Sequence, residues 1–320
     1  MKIVIAGGSG FIGQELINYF GRTHTLILLT RDIAGGANNR YHTTEEKAGV
    51  QYVKWDGVNT GEWCRELEGA DLLINLCGRS VNCRYTVKNK AEIFNSRTRP
   101  VVALGEAIRL CSSPPALWIN ASSATIYRYA MDHGQDEYTG KIENDFSVQV
   151  CKAWEKIFFE QALPATRQVA LRMAITLGKG GVMVPYFRLL KFGLSGRQGN
   201  GRQMYSWVHA TDLCRVIEWV TRHPEMKGVY NVAAPNPVTN NRFMSILRQQ
   251  TGHRWGLPAP AWLLKIGAWV IGTETELLLK SRWVLPVRLE ESGFRFQYPR
   301  LEEAVQEIVA VTPAHHYRFF

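Results

Sequence analysis

The sequence lacks the features that mark membrane-spanning and secreted proteins. It has no run of 18 apolar residues, so we expect no transmembrane helix. Its first residues show no basic segment followed by an apolar stretch of the signal-peptide type, because the early apolar run is only a few residues long. We therefore expect a cytoplasmic protein with no membrane partner.

Cysteine is present, but not in the patterns that bind metals or build disulfide frameworks. The six cysteines include no C-x-x-C pair and no grouping with histidine, so the sequence predicts no metal site. We interpret them as reduced, mostly buried thiols of a cytoplasmic protein.

Long basic runs are also missing, although the chain is basic overall. Lysine and arginine number 38 against 28 acidic residues, which gives a net charge of +10 at pH 7. No five consecutive residues are basic, so the charge does not form the arm that is typical of nucleic-acid binding. We expect a polyanionic small molecule as the partner rather than nucleic acid, which is kept as the alternative.

What the sequence does contain is a glycine-rich turn at its start, in MKIVIAGGSGFIG. The β-branched residues 3–5 predict a strand that is buried on both faces. Gly7, Gly10 and Gly13 follow at the spacing G-x-x-G-x-x-G, and residues 14–20 carry apolar side chains at helical spacing. In this context glycines let backbone N–H groups approach a pyrophosphate at the helix N-terminus. The alternative is a plain glycine turn before an ordinary helix. The predicted cofactor contacts are Gly7, Gly10, Phe11, Ile12 and Gly13.

Apolar strands alternate with helices through the first two thirds of the chain. Strands are predicted at residues 25–29, 50–55, 71–78, 117–124, 168–172 and 228–232, and helices at 87–110, 146–163 and 213–222. Pro100 lies inside the first of these helices and predicts a kink or a local break. The pattern predicts an α/β fold, a Rossmann-like doubly wound parallel sheet with a small C-terminal substrate-side domain.

The same pattern suggests how the chain is divided. We expect an NADP-binding Rossmann domain at residues 1–178, completed by about 206–234. The substrate-side region then comprises residues 179–205 and 235–310, and the apolar stretch within it, Trp262–Leu279, is expected to cap the cleft or to form a partner surface. Residues 311–320 form a tail that we expect to be ordered only if its aromatic side chains dock on the fold.

The residues that follow the second strand bear on the choice of cofactor. An arginine there suits the 2′-phosphate of NADP(H), whereas an acidic residue suits the 2′-hydroxyl of NAD. Arg31 comes first after the strand and Asp32 follows, so we predict NADP(H) and keep NAD as the alternative. The polar residues 33–47 then predict a loop. Further cofactor contacts are expected at Asp56, Leu76, Cys77, Gly78 and Ser122. Cys77 is interpreted as a small buried side chain rather than a nucleophile.

A series of short motifs runs along nearly the whole chain. These are GGSGFIG at 7–13, TRD at 30–32, WDG at 55–57, NLCG at 75–78, ASSATIY at 121–127, VCKAWE at 150–155, LRMAITLG at 171–178, SWVHATD at 206–212, YNVAAPNPVTN at 230–240 and GFRFQYP at 293–299. Together they resemble the atypical extended short-chain dehydrogenase/reductases of the NAD-dependent epimerase/dehydratase family, in particular epimerase-family proteins of the YfcH type. The resemblance implies an NADP(H)-binding oxidoreductase or nucleoside-sugar-type epimerase of unknown substrate. The alternative is a non-catalytic NADPH-binding sensor or scaffold.

The chain departs from that family where proton transfer is concerned. Typical members carry a serine at the end of the fifth strand and a Tyr-x-x-x-Lys pair on the following helix, where both side chains project from one face. Ser123 matches the serine. Four residues before Lys152, however, the helix carries Val148 instead of tyrosine. The expected catalytic residues are therefore Ser123, Tyr127 and Glu137, with Lys152 as a further candidate.

Each of these candidates also has a structural interpretation. Tyr127 is equally compatible with a core aromatic whose hydroxyl is satisfied, Glu137 with a solvated loop acid, and Lys152 with a surface cation.

The second half of the chain supplies the expected substrate side. Met183 opens an apolar segment that predicts a lid or its packing, and the glycine-rich loop 196–204 brings Arg202, which suits an anion such as a carboxylate or phosphate. The alternative is a flexible surface loop. Trp207 is the third expected substrate-side residue. His209 is expected to brace the loop rather than to do chemistry, with Thr211-Asp212 as the N-cap of the next helix. A homodimer is also left open.

Overall fold

The computed structural model describes residues 1–31, 49–264 and 280–319 of the 320-residue chain. Asp32, the polar residues 33–47 and most of the apolar stretch Trp262–Leu279 lie outside these ranges. The strands are β1 (Lys2–Ala6), β2 (Thr25–Thr30), β3 (Val50–Lys54), β4 (Leu72–Asn75), β5 (Leu117–Ser123), β6 (Arg167–Met173), β7 (Ile175–Leu177), β8 (Met204–Tyr205), β9 (Trp207–His209), β10 (Gly228–Val232) and β11 (Val238–Thr239).

Within the described residues, seven strands form one parallel sheet in the order β10-β6-β5-β4-β1-β2-β3. The first strand lies near the middle, because Ile3 pairs with Leu26 of β2 on one side and with Leu72 of β4 on the other. The order reverses at β1, so its carboxyl end lies beside the point where an open α/β sheet binds ligands. The Rossmann-like parallel sheet predicted from the sequence is confirmed.

Helices cover both faces of this sheet, as the alternating side chains of its strands require. The helices are α1 (Phe11–Phe20), α2 (Val87–Arg109), α3 (Phe146–Phe159), α4 (Met183–Lys191), α5 (Ala210–Arg222), α6 (Asn240–Thr251), α7 (Val287–Glu291) and α8 (Leu301–Ala310). Helices α1 and α5 pack on the face that includes Ile3 and Ile5. Helices α2 and α3 pack on the face that includes Val4 and Ala6.

Capping side chains define where the helices next to the sheet begin. Thr86 accepts a hydrogen bond from the Asn89 amide at the start of α2, and Asp145 accepts one from the Val148 amide at the start of α3. Helix α2 runs without interruption through Pro100, which is buried, so the expected local break is not found. Tertiary packing on the sheet outweighs the unfavourable propensity of a proline in the helix interior.

A third core lies outside the sheet and joins segments that are distant in sequence. It contains Leu177, Tyr205, Phe243 and Leu301, together with the apolar side chains of α4, α6 and α8. The short strand pairs β7-β9 and β8-β11 flank it. Tyr317 docks on this core through Phe187, at 5.5 Å between ring centroids, so one aromatic side chain of the tail packs on the fold.

Candidate functional site

Two cavities meet at the carboxyl edge of the parallel sheet. The larger has a volume of about 1130 Å³ and extends from the glycine turn towards β2 and β3. The smaller, of about 380 Å³, extends from the same turn towards β5 and α3. Both are lined by Gly7, Gly10, Leu76 and Gly78, so the turn after β1 and the segment after β4 form their common wall.

The glycines of this turn are required by its geometry. Gly7 has a φ of +78°, and a Cβ added there would lie 2.9 Å from the Cys77 nitrogen. A Cβ on Gly13 would collide with the carbonyl oxygen of Gly8, so the first turn of α1 packs directly against the glycine turn. The backbone can therefore pass close to whatever occupies the common wall.

The N-terminus of α1 opens onto the same wall with space in front of it. Gly10 is the N-cap residue, makes no side-chain capping hydrogen bond, and is followed by no acidic residue in the first helical turn. A Cβ built on Gly10 would meet nothing within 4 Å. A helix N-terminus with this room and with the positive end of its dipole suits a bound anion such as a pyrophosphate.

Cationic side chains line the larger cavity. Arg31 is exposed at the end of β2, and Arg79 and Arg99 line the same cavity, where Arg79 forms an ion pair with Glu92. Asp56 also lines this cavity, but its carboxylate accepts hydrogen bonds from the Val58 and Asn59 amides, at 2.8 Å each, and so closes its own turn. These bonds lower the pKa of Asp56.

Cys77 lies in the common wall as a neutral thiol. Burial raises its pKa to about 12, so the nucleophilic thiolate is not formed near neutral pH. This agrees with its interpretation as a small side chain beside the predicted cofactor.

The ends of β5 and α3 bring polar groups to the lining of the smaller cavity. Ser122 and Ser123 come from the end of β5, and Ser147 and Cys151 come from α3. The Ser123 hydroxyl accepts a hydrogen bond of 3.2 Å from the Thr125 amide. Burial raises the pKa of Cys151 to about 12, so this thiol is neutral as well.

The structure corrects the expected face of α3. Val148 is completely buried in a core cluster with Tyr127, and Lys152 is exposed on the outer side of the helix. Five residues of α3 line the cavity, and the polar pair among them at a spacing of four residues is Ser147 and Cys151. Lys152 is not part of the described lining, and the polar pair that has the Tyr-x-x-x-Lys spacing on the lining side is a serine and a cysteine.

Tyr127 and Glu137 lie inside the fold, away from the described linings of both cavities. The Tyr127 hydroxyl donates to Asn231 Oδ1 at 3.0 Å and accepts from Arg172 at 2.8 Å, and burial raises the pKa of this tyrosine. Glu137 accepts a hydrogen bond of 2.8 Å from the Asn231 amide. This geometry matches the interpretation of Tyr127 as a core aromatic with a satisfied hydroxyl.

A buried ion pair connects this interior network with the cavity. Glu155 of α3 accepts two hydrogen bonds of 2.8 Å from Arg172 of β6 and a third, of 2.5 Å, from Ser122. Ser122 lines the smaller cavity, so its hydroxyl is oriented by a carboxylate that is itself held by the arginine. Sequence reasoning did not identify this pair.

The expected substrate-side residues do not meet at the cavities. Met183 and Trp207 are completely buried, and Arg202 is exposed; none of them lines either cavity. The glycine-rich loop is fixed to the chain near residue 258, because the amides of Gly196 and Gly199 donate to the carbonyl groups of Leu257 and Ala259. These hydrogen bonds do not agree with the alternative of a flexible surface loop.

His209 has the bracing role expected of it. Its Nδ1 accepts from the Thr211 amide, which makes His209, rather than Thr211-Asp212, the N-cap of α5. Its Nε2 lies 3.0 Å from a carboxylate oxygen of Glu307 on α8.

The described residues were also compared with the requirements of a metal site and of a membrane-spanning helix. No group of three or more histidine, cysteine or acidic side chains in those ranges could hold a metal ion. In the same ranges, no helix has the length and apolar character needed to cross a membrane.

The chain is similar to a known protein family and to several named relatives. The model of the NAD dependent epimerase/dehydratase family matches residues 3–233, and a model described as a domain of unknown function matches residues 259–308. The epimerase family protein YfhF of Bacillus subtilis is 31% identical, covering 97% of this chain and 98% of that protein. The human epimerase family protein SDR39U1 is 28% identical, covering 97% of this chain and all of that protein.

Solved structures lead to the same family. A crystal structure of human SDR39U1 (isoform 2) with NADPH superposes with a TM-score of 0.83 at 26% identity, over 97% of this chain and 100% of that one. A UDP-N-acetylglucosamine 4-epimerase from Methanobrevibacter ruminantium superposes with a TM-score of 0.76 at 16% identity, over 97% of each chain, which establishes a shared fold. The family resemblance found in the sequence motifs is thus confirmed: the chain belongs to the NAD-dependent epimerase/dehydratase family.

Proposed function

We propose that this protein binds NADP(H) across the two cavities and uses it as an oxidoreductase or epimerase on a small, anionic or sugar-like substrate. The observation that carries the proposal is the pair of cavities joined at the glycine turn. A dinucleotide has two nucleoside halves joined by a pyrophosphate, and its shape matches two cavities that share the open N-terminus of α1.

Three features support NADP(H) as the particular cofactor. The larger cavity carries Arg31 where a 2′-phosphate is expected, with Arg79 and Arg99 nearby. The common wall has the close backbone approach and the space at Gly10 that a pyrophosphate needs. The human relative that superposes over the whole chain was crystallised with NADPH.

The residues present also indicate how the chemistry is divided. When bound, the nicotinamide supplies or accepts a hydride. Ser123, at the end of β5, lines the smaller cavity and would offer its hydroxyl to a carbonyl group of the substrate. The substrate-side region at 179–205 and 235–310 is proposed to determine which substrate binds. The third core packs the described elements of this region together and so supports a binding surface there.

A non-catalytic NADPH sensor or scaffold is the second candidate. It is favoured by one observation, that α3 presents Ser147 and Cys151 to the cavity instead of a tyrosine and a lysine. The two functions differ in turnover, so oxidation of NADPH in the presence of a panel of ketones, aldehydes and nucleotide sugars separates them.

The cofactor site is tested by adding a charge at Gly10. Because a Cβ at this position would meet nothing within 4 Å, Gly10→Glu is expected to fold and to bring a carboxylate to the proposed pyrophosphate position. Repulsion there should abolish measurable NADPH binding in titration calorimetry.

The matched control is Gly10→Ala, which adds a Cβ without charge. We expect it to keep NADPH affinity within about tenfold of the unmodified protein, a difference of roughly 1.4 kcal/mol. Unchanged affinity in Gly10→Glu would contradict the assignment of the pyrophosphate to the α1 N-terminus.

A further inference from the structure

A phenol and a guanidinium that do not belong to α3 also line the smaller cavity. Tyr85 belongs to the segment just before α2, and Arg97 lies on α2 itself. Both line the cavity together with Ser123, Ser147 and Cys151. Neither belongs to a motif that identifies the family in this sequence.

The phenol is positioned at the helix site where a tyrosine is missing. The Tyr85 hydroxyl lies 3.4 Å from the Ser147 Oγ, and Ser147 is the first residue of the polar pair, Ser147 and Cys151, that α3 presents to the cavity. The ring is held edge-on by Phe146, with 5.0 Å between centroids and 66° between planes. A phenol therefore occupies the region where the family resemblance expects one, but it comes from a different part of the chain.

The guanidinium is placed in a similar way relative to the missing lysine. Arg97 lies over the Trp154 ring, with its Cζ 5.4 Å from the ring centroid, next to the side of α3 that carries Cys151. Two of its N–H groups donate to the carbonyl oxygens of Ile93 and Arg79, at 3.0 and 3.1 Å, which fixes the side chain.

The surroundings of Arg97 leave its charge available to the cavity. No described residue supplies a carboxylate in ion-pair distance of it, and the described lining of the smaller cavity contains no acidic side chain. A largely buried cation without a counter-charge is costly unless it serves a ligand or a reacting group. Lys90, whose Nζ lies 5.1 Å from the centroid of the Phe146 ring, adds positive charge on the same side.

We propose that Tyr85 is the proton donor and acceptor of this site, and that Arg97 is the positioning cation that favours its phenolate. The pair that α3 lacks is in this way supplied by α2 and the segment before it. The inference rests on the proposed function, since it assigns the proton transfer that accompanies hydride transfer in the same cavity.

The proposed reaction combines a hydride transfer with a proton transfer. In the direction of reduction, a substrate carbonyl carbon receives a hydride from NADPH, which leaves as NADP⁺, and the carbonyl oxygen receives the hydroxyl proton of Tyr85. An alcohol is formed, and the Tyr85 phenolate regains a proton from water. Arg97 stabilises the phenolate between these events because a nearby cation favours the charged form of a phenol.

Ultraviolet difference titration of tyrosine, in the protein saturated with NADP⁺, tests the proposal without a substrate. An ordinary phenol titrates at about pH 10. We expect a tyrosinate absorbance step below that range, equivalent to one residue, which is absent in Tyr85→Phe and moves to higher pH in Arg97→Met. Arg97→Lys keeps a cation and should restore the step in part. The control is Tyr129→Phe, which removes an exposed phenol outside both cavities and should leave the step unchanged.

Two further measurements accompany the titration. Calorimetry should show that Tyr85→Phe binds NADPH with the affinity of the unmodified protein. The rate at which Tyr85→Phe oxidises NADPH with para-nitrobenzaldehyde should be about 10²–10⁴-fold lower than that of the unmodified protein. Identical tyrosine titrations in the unmodified protein and Tyr85→Phe would overturn the assignment of Tyr85. An unmodified protein that fails to bind NADPH would instead overturn the proposed function, so the two failures are distinguishable.

Discussion

Arg31, at the end of β2 in the larger cavity, is the residue on which we expect the selectivity between NADPH and NADH to depend. A charge-assisted hydrogen bond between an arginine and a phosphate contributes about 1.5–3 kcal/mol. Arg31→Ala is therefore expected to weaken NADPH binding about tenfold to a hundredfold and to change NADH binding little, because NADH lacks the 2′-phosphate. Calorimetric titration of both cofactors gives the comparison.

Arg65→Ala is a suitable control for this measurement. Arg65 is an exposed arginine that pairs with Glu66 and lies outside both cavities, so its loss changes the net charge by the same amount. An equal loss of affinity for NADPH and NADH in Arg31→Ala would mean that Arg31 supports the loop instead of selecting the cofactor.

At the scale of single residues, sequence reasoning identified glycines that line both cavities and did not single out Arg97, the cation in the lining of the smaller one. The glycines could be predicted because their spacing is itself the signal. Arg97 gives a weaker signal that was open to use: it lies on the same helical stripe as Ile93, Val101 and Leu104, all buried. A cation within an apolar stripe indicates a functional or paired charge. Tyr85 lies outside any periodic segment, and no pattern pointed to it.

At the scale of elements, most strand and helix ends lie within one residue of the predictions, but β4 ends at residue 75 instead of 78, α3 ends at 159 instead of 163, and α5 begins at 210 instead of 213. The predicted face of α3 also differs from the structure. The prediction compared the helix with a motif by anchoring on Lys152, the lysine it contains. Apolar residues lie on more than one side of α3, so periodicity alone leaves the choice of buried face open by one residue. Packing against β5 and α2 determines which face of α3 is buried, and it leaves Ser147 and Cys151 in the lining of the smaller cavity.

The Glu155–Arg172 pair is the contact that ties α3 to the sheet next to the site. Removing one partner leaves a buried charge without compensation, which costs about 3–5 kcal/mol. Glu155→Gln is therefore expected to lower the free energy of unfolding by several kcal/mol, measured by urea denaturation with the slope checked for constancy.

A second ion pair on the same helix provides the control. Lys156 and Glu160 are 3.7 Å apart, and both side chains are mostly exposed. Lys156→Gln should change the free energy of unfolding by no more than about 0.5 kcal/mol, because exposed i,i+4 pairs contribute little. Similar losses in the two variants would show that the burial of Glu155 is not what makes the pair important.

At the scale of the whole molecule, the sequence predicted the sheet and did not predict how the second half packs. Parallel strands that are buried on both faces give continuous apolar runs, and these can be recognised one at a time. The third core instead joins Leu177, Tyr205, Phe243 and Leu301, which are spread over more than a hundred residues. No local sequence pattern predicts contacts between residues so far apart in the chain. Met183 and Trp207 were for that reason expected beside a substrate, whereas they belong to this core.

The net charge of +10 leads to a prediction for the molecule as a whole. Arginines line the larger cavity, and others are engaged in ion pairs at separate places, as Arg128 is with Asp132 and Arg215 with Asp212. These described arginines lie at separate places, whereas tight duplex binding depends on cations arranged along a continuous phosphate track. We therefore expect labelled duplex DNA to bind weakly, without sequence preference, and to be released when salt is raised from about 50 to 200 mM.

Fluorescence anisotropy with two duplexes of unrelated sequence checks this expectation, and NADPH provides the control. Because the cofactor is a compact polyanion held partly by the α1 N-terminus and the glycine turn, its binding should survive the increase in salt that releases DNA. DNA that is displaced by NADPH at low salt would show that the two compete for the arginines of the larger cavity. Tight binding of one duplex over the other at about 200 mM salt would contradict the assignment of the positive charge to a small anionic partner and favour nucleic acid in its place.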